Sequence, residues 1–259
     1  FARLSQRLIT ALTAPTGEGT LYDVDMRLRP SGNQGPIAST LAGFRRYQEN
    51  DAWTWEHMAL TRARPIAGPP ALRAAIGAAI RAVLTRPRDA DRLVIDVADM
   101  RQRMAREFRA RDPFDVKYAR GGLVDCDFMA QYLQLRHAHA APEILDPNTC
   151  AAFRKLATAG FIDRASAQDL IEATALWHRL QGLLRLTVGK ASVRDAPEGV
   201  RRALAQAGQT GDLAALEAKM ARLSERAAAL FEDLIERPAA ALRAARPAGN
   251  GKQAEDKRE

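Results

Sequence analysis

The run Leu21-Tyr22-Asp23-Val24-Asp25-Met26-Arg27-Leu28-Arg29-Pro30-Ser31-Gly32 alternates apolar and charged side chains. Tyr22, Val24, Met26 and Leu28 fall on one face of an extended chain, and Asp23, Asp25, Arg27 and Arg29 fall on the other, the period of a half-buried strand. Pro30, Gly32 and Gly35 then end any ladder and make a turn. Carboxylates are hard oxygen ligands for magnesium, and arginine forks match phosphate oxygens in two-point contacts. An Asp-x-Asp-x-Arg-x-Arg face at a strand end therefore suits a divalent cation and a phosphate chain. The same residues also fit a solvated face whose opposite charges pair with each other. Backbone N–H groups between Ser31 and Pro36 suit a phosphate cradle or a plain turn equally.

Two more blocks stand further along. Ala52-Trp53-Thr54-Trp55-Glu56-His57 is followed by Leu60-Thr61-Arg62-Ala63-Arg64, and Asp115-Val116-Lys117 by Gly121-Gly122-Leu123-Val124-Asp125. Together with the first run, in this order, they resemble the signature blocks of the glutamine-synthetase adenylyltransferase family. The wording Ala-Trp-Thr-Trp-Glu-His is nearer the C-terminal, adenylylating head than the AMP-removing one. The resemblance covers roughly residues 20 to 135. It departs from the family at Cys126-Asp127-Phe128, where Ile/Leu-Glu-Phe is usual.

The resemblance implies a polymerase-beta-like nucleotidyltransferase, in which three carboxylates hold magnesium while AMP passes from ATP to a tyrosine of glutamine synthetase and pyrophosphate leaves. Asp25 matches the third carboxylate, with Asp23 as its neighbour. Arg27 and Arg29, with Ser31 and Gly32, would face the triphosphate; in the third block Gly121 and Gly122 let the backbone approach another segment or a phosphate closely, and Lys117 could reach a phosphate. The family's first carboxylate pair lies in an upstream Gly-Ser…Asp-x-Asp block that this sequence lacks. A chain that opens at Phe1, inside a helical pattern, reads as a fragment. Alone, it is expected not to adenylylate. A PII signalling protein is the further partner implied. Two alternatives are a PII-uridylyltransferase-like enzyme and a non-enzymatic basic helical module for RNA or protein.

The net charge of +8 invites a nucleic-acid reading, but 33 of the 39 basic residues are arginines scattered through amphipathic patterns. Aromatics make up 6% and form no stacking platform. Neither nucleic acid nor membrane is expected as a partner, since no apolar run is long enough to cross a bilayer. Cys126 and Cys150 form no Cys-x-x-Cys pair and fit ordinary thiols in a reducing cytoplasm. The four histidines do not suggest a metal site: His137 and His139, two apart on a predicted helix, point to different faces, and His178 stands alone beside Trp177.

Helical spacing dominates elsewhere. Leu4, Leu8 and Leu12 predict a helix over 1–13, and Ser39 or Thr40 caps one bearing Leu41, Phe44 and Tyr47. Another begins near Asp51. Leu72, Ile76, Ile80 and Leu84 follow Gly68-Pro69-Pro70, and a helix from about Asp91 runs to Pro113. Phe114 to Ala119 alternates like an extended segment. Gly121-Gly122 opens a helix, Asp146-Pro147 another, Ser166 a long one, and two more cover 198–206 and 212–236. The fold class is mostly α with a small α/β part: a partial nucleotidyltransferase core over 1–68, a helical bundle over 70–237 and a disordered tail over 238–259.

Overall fold

A computed structural model describes residues 1–20, 23–110, 112–189 and 192–245. It is mostly helical, with one small hairpin, as the sequence predicts. Helix α1 (Ala2–Thr13) buries none of its residues. The hairpin pairs β1 (Pro15–Thr16) with β2 (Gly19–Thr20), Pro15 opposite Thr20 and Thr16 opposite Gly19.

The strand expected over 21–29 is the first correction. Leu21 and Tyr22 lie outside the described residues, Asp23–Met26 has no ladder partner among the described ones, and a turn begins at Arg27. A lone extended segment leaves its N–H and C=O groups unpaired, so the alternating pattern alone does not make a strand. The side chain of Asp25 takes the Arg27 N–H instead, at 2.9 Å, a local turn bond that competes with pairing.

Helix α2 (Leu41–Asn50) is capped by Thr40, whose hydroxyl accepts from the Gly43 N–H at 3.0 Å. Helix α3 (Thr54–Leu60) buries Met58 and Leu60 against α5 (Ala90–Glu107) and α6 (Leu123–His137). Helix α4 (Pro70–Leu84) intervenes, with Pro70 in its first turn where no N–H is missed. The apolar side chains of α3 thus belong to the same core as the helices beyond residue 70.

Helix α6 is the axis of the molecule. Twelve of its residues are buried, on every face, because α3, α5, α7 (Thr149–Thr158), α8 (Arg164–Thr187) and α10 (Leu213–Phe231) surround it. Helix α9 (Glu198–Ala207) closes the bundle against α8 and α10. Asp163 and Asp212 cap α8 and α10 through the N–H groups of Ser166 and Ala215. Helix α7 starts later than Asp146-Pro147 suggests: Asn148 is the cap, accepting from the Ala151 N–H at 3.0 Å.

Two further expectations change. Phe114 to Ala119 is a series of turns rather than an extended segment, because Asp112 accepts the Phe114 N–H at 2.8 Å and starts the chain turning. At the other end the chain stays helical past Pro238. A π-turn over Glu232–Glu236 leads into α11 (Arg237–Ala245), which packs on α5 and buries Ala239. Proline lacks an N–H and its ring collides with the carbonyl four residues earlier; a widened turn just ahead of it relieves both. The tail expected from residue 238 therefore begins no earlier than 246, and residues 246–259 lie outside the described ones.

Candidate functional site

The Asp25 turn projects into solvent. Its carboxylate grips the Arg27 guanidinium, with Oδ2 2.7 Å from Nη2 and Oδ1 3.0 Å from Nε. These bonds and that of the Arg27 N–H hold the Asp25 carboxyl down at about 2, so it is ionised at any physiological pH. Asp23 is also exposed. Arg29 is not aimed outward: its guanidinium donates to the carbonyls of Gly35 (3.1 Å), Met26 (3.0 Å) and Asn33 (3.3 Å), closing the 26–35 loop on itself. Ser31 and Gly32 have φ of 61° and 51°, the left-handed pair that turns the chain back.

The second block is tied to the third through Arg62–Asp127 and lies beside this turn. Arg27 is held protonated chiefly by Asp25, with Glu107 and Tyr118 adding a smaller, longer-range effect. The Ser31 backbone lies close enough to the Tyr47 hydroxyl to offset part of the rise that burial gives its pKa. The Tyr47 hydroxyl donates to Glu56 Oε1 at 2.8 Å, and Glu56 Oε2 accepts the Trp53 N–H at 2.9 Å, capping α3. Burial pushes the Tyr47 hydroxyl up, and the bond to Glu56 pushes it further. From the other end of the second block, Arg62 pairs with Asp127 at 2.8 Å, and Asp127 also accepts from Thr149 at 2.7 Å.

The third block is built for packing. Gly121 has φ +71° and lies against α10; a Cβ there would sit 1.9 Å from the Ser224 carbonyl oxygen. Its N–H is taken by Asp125 Oδ2 at 2.6 Å, and its carbonyl accepts from the Trp177 indole at 3.2 Å. A Cβ on Gly122 would meet the Val116 and Ala119 carbonyls at 2.6 and 2.8 Å. Both glycines are buried, and what they approach closely is backbone of other segments, one of the two partners their sequence context leaves open. Lys117 is half-buried with its ammonium 4.7 Å from the Tyr118 ring centre, a cation–π contact.

Asp125, wholly buried, is the hub to which sequence reasoning assigns no role. Arg101 of α5 donates to its Oδ1, and Arg120 lies 3.7 Å from its Oδ2. Nothing in the sequence separates Arg101 from the other arginines of an amphipathic helix, and only its burial marks it. Burial pushes the Cys126 thiol far up and the half-buried Cys150 thiol upward, so neither is a nucleophile. Among the described residues no three His, Cys, Asp or Glu side chains converge as a metal set, and no helix is long and apolar enough to cross a membrane. Asp23 and Asp25 fit one corner of a magnesium site by donor chemistry: they are exposed, hard oxygen donors, and Asp25 is engaged by Arg27, through an exposed ion pair and the backbone N–H.

Two family models match parts of the chain. Residues 1–79 match the one described as glutamate-ammonia ligase adenylyltransferase, and residues 95–235, more than half of the chain, match the GlnD PII-uridylyltransferase model. A bifunctional glutamine synthetase adenylyltransferase/adenylyl-removing enzyme of Rhodopseudomonas palustris (strain TIE-1) is 50% identical over 236 residues, 91% of this chain and 24% of that protein. Proteins of the same name from a Bradyrhizobium species and from Xanthobacter autotrophicus are 49% and 46% identical, with 91% of this chain and 24% of theirs aligned. The chain belongs to the GlnD PII-uridylyltransferase family through its helical part, and as a whole to the glutamine-synthetase adenylyltransferase family. It spans about a quarter of the length of these curated relatives.

Proposed function

We propose that this chain is part of the adenylylating half of an enzyme that transfers AMP from ATP to a tyrosine of glutamine synthetase, with pyrophosphate leaving. In the complete protein the other head would remove AMP by phosphorolysis, under the control of a PII signalling protein, in the cytoplasm. The observation that carries this reading is the solvent-facing Asp25, whose loop approaches the Tyr47–Glu56 pair of the second block, which is itself joined to the third by Arg62–Asp127. Asp25, with Asp23 beside it, would hold magnesium together with carboxylates from outside this chain. Magnesium, when bound, would draw negative charge off the triphosphate and sharpen the attacking tyrosine oxygen. Arg27 leaves the Asp25 carboxylate for the phosphates, an exchange that an exposed ion pair makes easy. Arg29, with Ser31 and Gly32, sets the shape of the loop that presents them, and Lys117 lies on the adjoining block.

The test is labelled AMP incorporation into glutamine synthetase by the full-length enzyme. Asp25→Asn should lower it by about a hundredfold or more, and the 259-residue chain alone should give none. A wild-type rate for the variant, or robust labelling by the chain alone, sinks the assignment. The match of residues 95–235 to the PII-uridylyltransferase model supports a second reading, uridylyl transfer to PII. Competition between ATP and UTP in the same assay separates the two.

A further inference from the structure

A cleft of about 950 Å³ opens on a different set of residues, between the start of α3, the α4–α5 connection and the first turns of α5. At its base His57 is buried, and Arg88 reaches into the same place. Arg88 Nη1 lies 3.0 Å from His57 Nδ1, and Nη2 donates to the Val83 carbonyl at 2.8 Å. A guanidinium can only donate, so His57 Nδ1 accepts and its Nε2–H donates to the Gln48 carbonyl, 3.0 Å away. His57 is therefore a neutral imidazole and brings no counter-charge.

Arg88 Nε has no hydrogen-bond partner, and no carboxylate pairs with this guanidinium among the described residues. Burial, reinforced by the nearby Arg86, pushes its pKa down to about 10. A cation taken out of water without a counter-ion is costly and normally paired. The acids of the cleft are engaged elsewhere. Asp89 caps α5 through the N–H groups of Asp91 and Arg92, Asp96 accepts from Thr54 and faces Arg92, and Asp99 pairs with Arg243 of α11. Asp51 stands on the exposed rim. Arg86 spends one N–H on the Glu49 carbonyl at 3.2 Å. The wall carries Trp53 and Trp55, 56% and 39% exposed, which is unusual for two indoles only two residues apart.

We propose that this cleft binds a small anionic ligand with a planar part, its phosphate or carboxylate received by Arg88 and Arg86 and its ring lying against Trp53 and Trp55. Guanidinium forks take either anion in two-point fashion, and the volume is that of a metabolite or mononucleotide site. The site is separate from the Asp25 turn and does not rest on the adenylyl-transfer reading.

Tryptophan fluorescence reads it directly, since the remaining indole, Trp177, is buried and silent to a surface ligand. The 259-residue chain is titrated with AMP, benzoate and inorganic phosphate to about 10 mM, a range that reaches weak metabolite affinities. Saturable quenching by AMP or benzoate, tighter than by inorganic phosphate, is expected; whichever of the two binds better identifies the anion as phosphate or carboxylate. Arg88→Met and Arg86→Gln should each weaken it about tenfold or more, and Trp53→Phe should shrink its amplitude. Arg86→Gln touches only one peripheral carbonyl and keeps the test valid if Arg88→Met misfolds. No saturable quenching by any of the three, equal affinity for all three, or quenching unchanged in Arg86→Gln overturns the proposal.

Discussion

Arg101 and Asp125, from neighbouring helices, form an ion pair with almost no exposure to water: their side chains are 6% and 0% exposed. Arg101 Nε donates to Asp125 Oδ1, while Asp125 Oδ2 accepts the Gly121 N–H and Arg101 also reaches the Tyr118 carbonyl at 3.3 Å. One carboxylate thereby ties α5, the turn-rich 112–122 connection and the start of α6 together. Through Gly121, whose carbonyl accepts from Trp177, it ties in α8 as well.

Removing Asp125 leaves the Arg101 guanidinium buried and unmatched, and removing Arg101 leaves the buried Asp125 only the more distant Arg120 at 3.7 Å. Arg101→Met should cost about 3–5 kcal/mol and lower the melting temperature by roughly 10 °C. The double variant Arg101→Met/Asp125→Asn should lose clearly less than the two single losses combined, because each single variant already breaks the pair. Denaturant unfolding of the four proteins checks this, and additive losses would mean the pair is not coupled.

The two glycines beside Asp125 make a sharper prediction. Gly121→Ala forces a methyl to 1.9 Å from the Ser224 oxygen at a φ of +71°, so a loss of about 2–4 kcal/mol or outright failure to fold is expected. A Cβ on Gly182 of α8 would meet nothing within 4 Å, so Gly182→Ala should instead stabilise by about 0.5–1 kcal/mol through helix propensity. Thermal melts of both variants read the opposite signs.

That contrast shows what local sequence can and cannot disclose. Thr40 as a cap, Pro70 in a first turn and the four-residue spacing of Leu72, Ile76, Ile80 and Leu84 are decided within a few residues, and they form as the pattern suggests. The Gly121-Gly122 pair is legible as a close approach, but its partner is not: it is the α10 backbone at Ser224, a hundred residues away in the chain, rather than a phosphate. The alternation around Asp25 has the period of a strand, yet a strand is a property of two segments, and no described segment pairs with this one. Pro238 suggests an end only because a π-turn ahead of it, set by the packing of α11 on α5, has no signature in the sequence. Arg101 and Arg88 are hidden among 33 arginines; burial singles them out, and burial is decided by tertiary packing. Of the site, the blocks are legible, but the approach of Ser31 to the Tyr47–Glu56 pair, which sets the first beside the second, is not, because Tyr47 reads as one more apolar helix position.

Asp25→Asn should separate stability from chemistry. The Asp25–Arg27 pair is 55% and 75% exposed, and pairs of that kind contribute little to folding. The melting temperature of the variant should be indistinguishable from that of the parent, while adenylyl transfer by the full-length enzyme falls. A variant that loses activity only in proportion to a lowered melting temperature would make Asp25 a structural residue and remove it from the metal site.

His57 predicts how stability responds to acid. Burial first, and then the Arg88 guanidinium, bring its pKa down from 6.5 to about 4 in the folded protein. Between those two values the unfolded chain carries a proton on this imidazole and the folded chain does not. Unfolding therefore takes up a proton, and stability must fall as the pH drops through that window. The contribution is complete above about pH 6.5 and, at roughly 1.4 kcal/mol per pH unit, about 2 kcal/mol of it is gone by pH 5, before most carboxylates begin to protonate. Protonating His57 would also set a cation against Arg88 and strip that guanidinium of its acceptor on Nδ1. His57→Gln has no proton to gain: it should be less stable at pH 7, having lost the ring's packing, yet fall less steeply between pH 7 and 5, the remaining slope including that of His137, whose pKa burial also lowers. Urea midpoints of the two proteins across that range decide the matter, and parallel curves would show that the imidazole is not held neutral in the folded state.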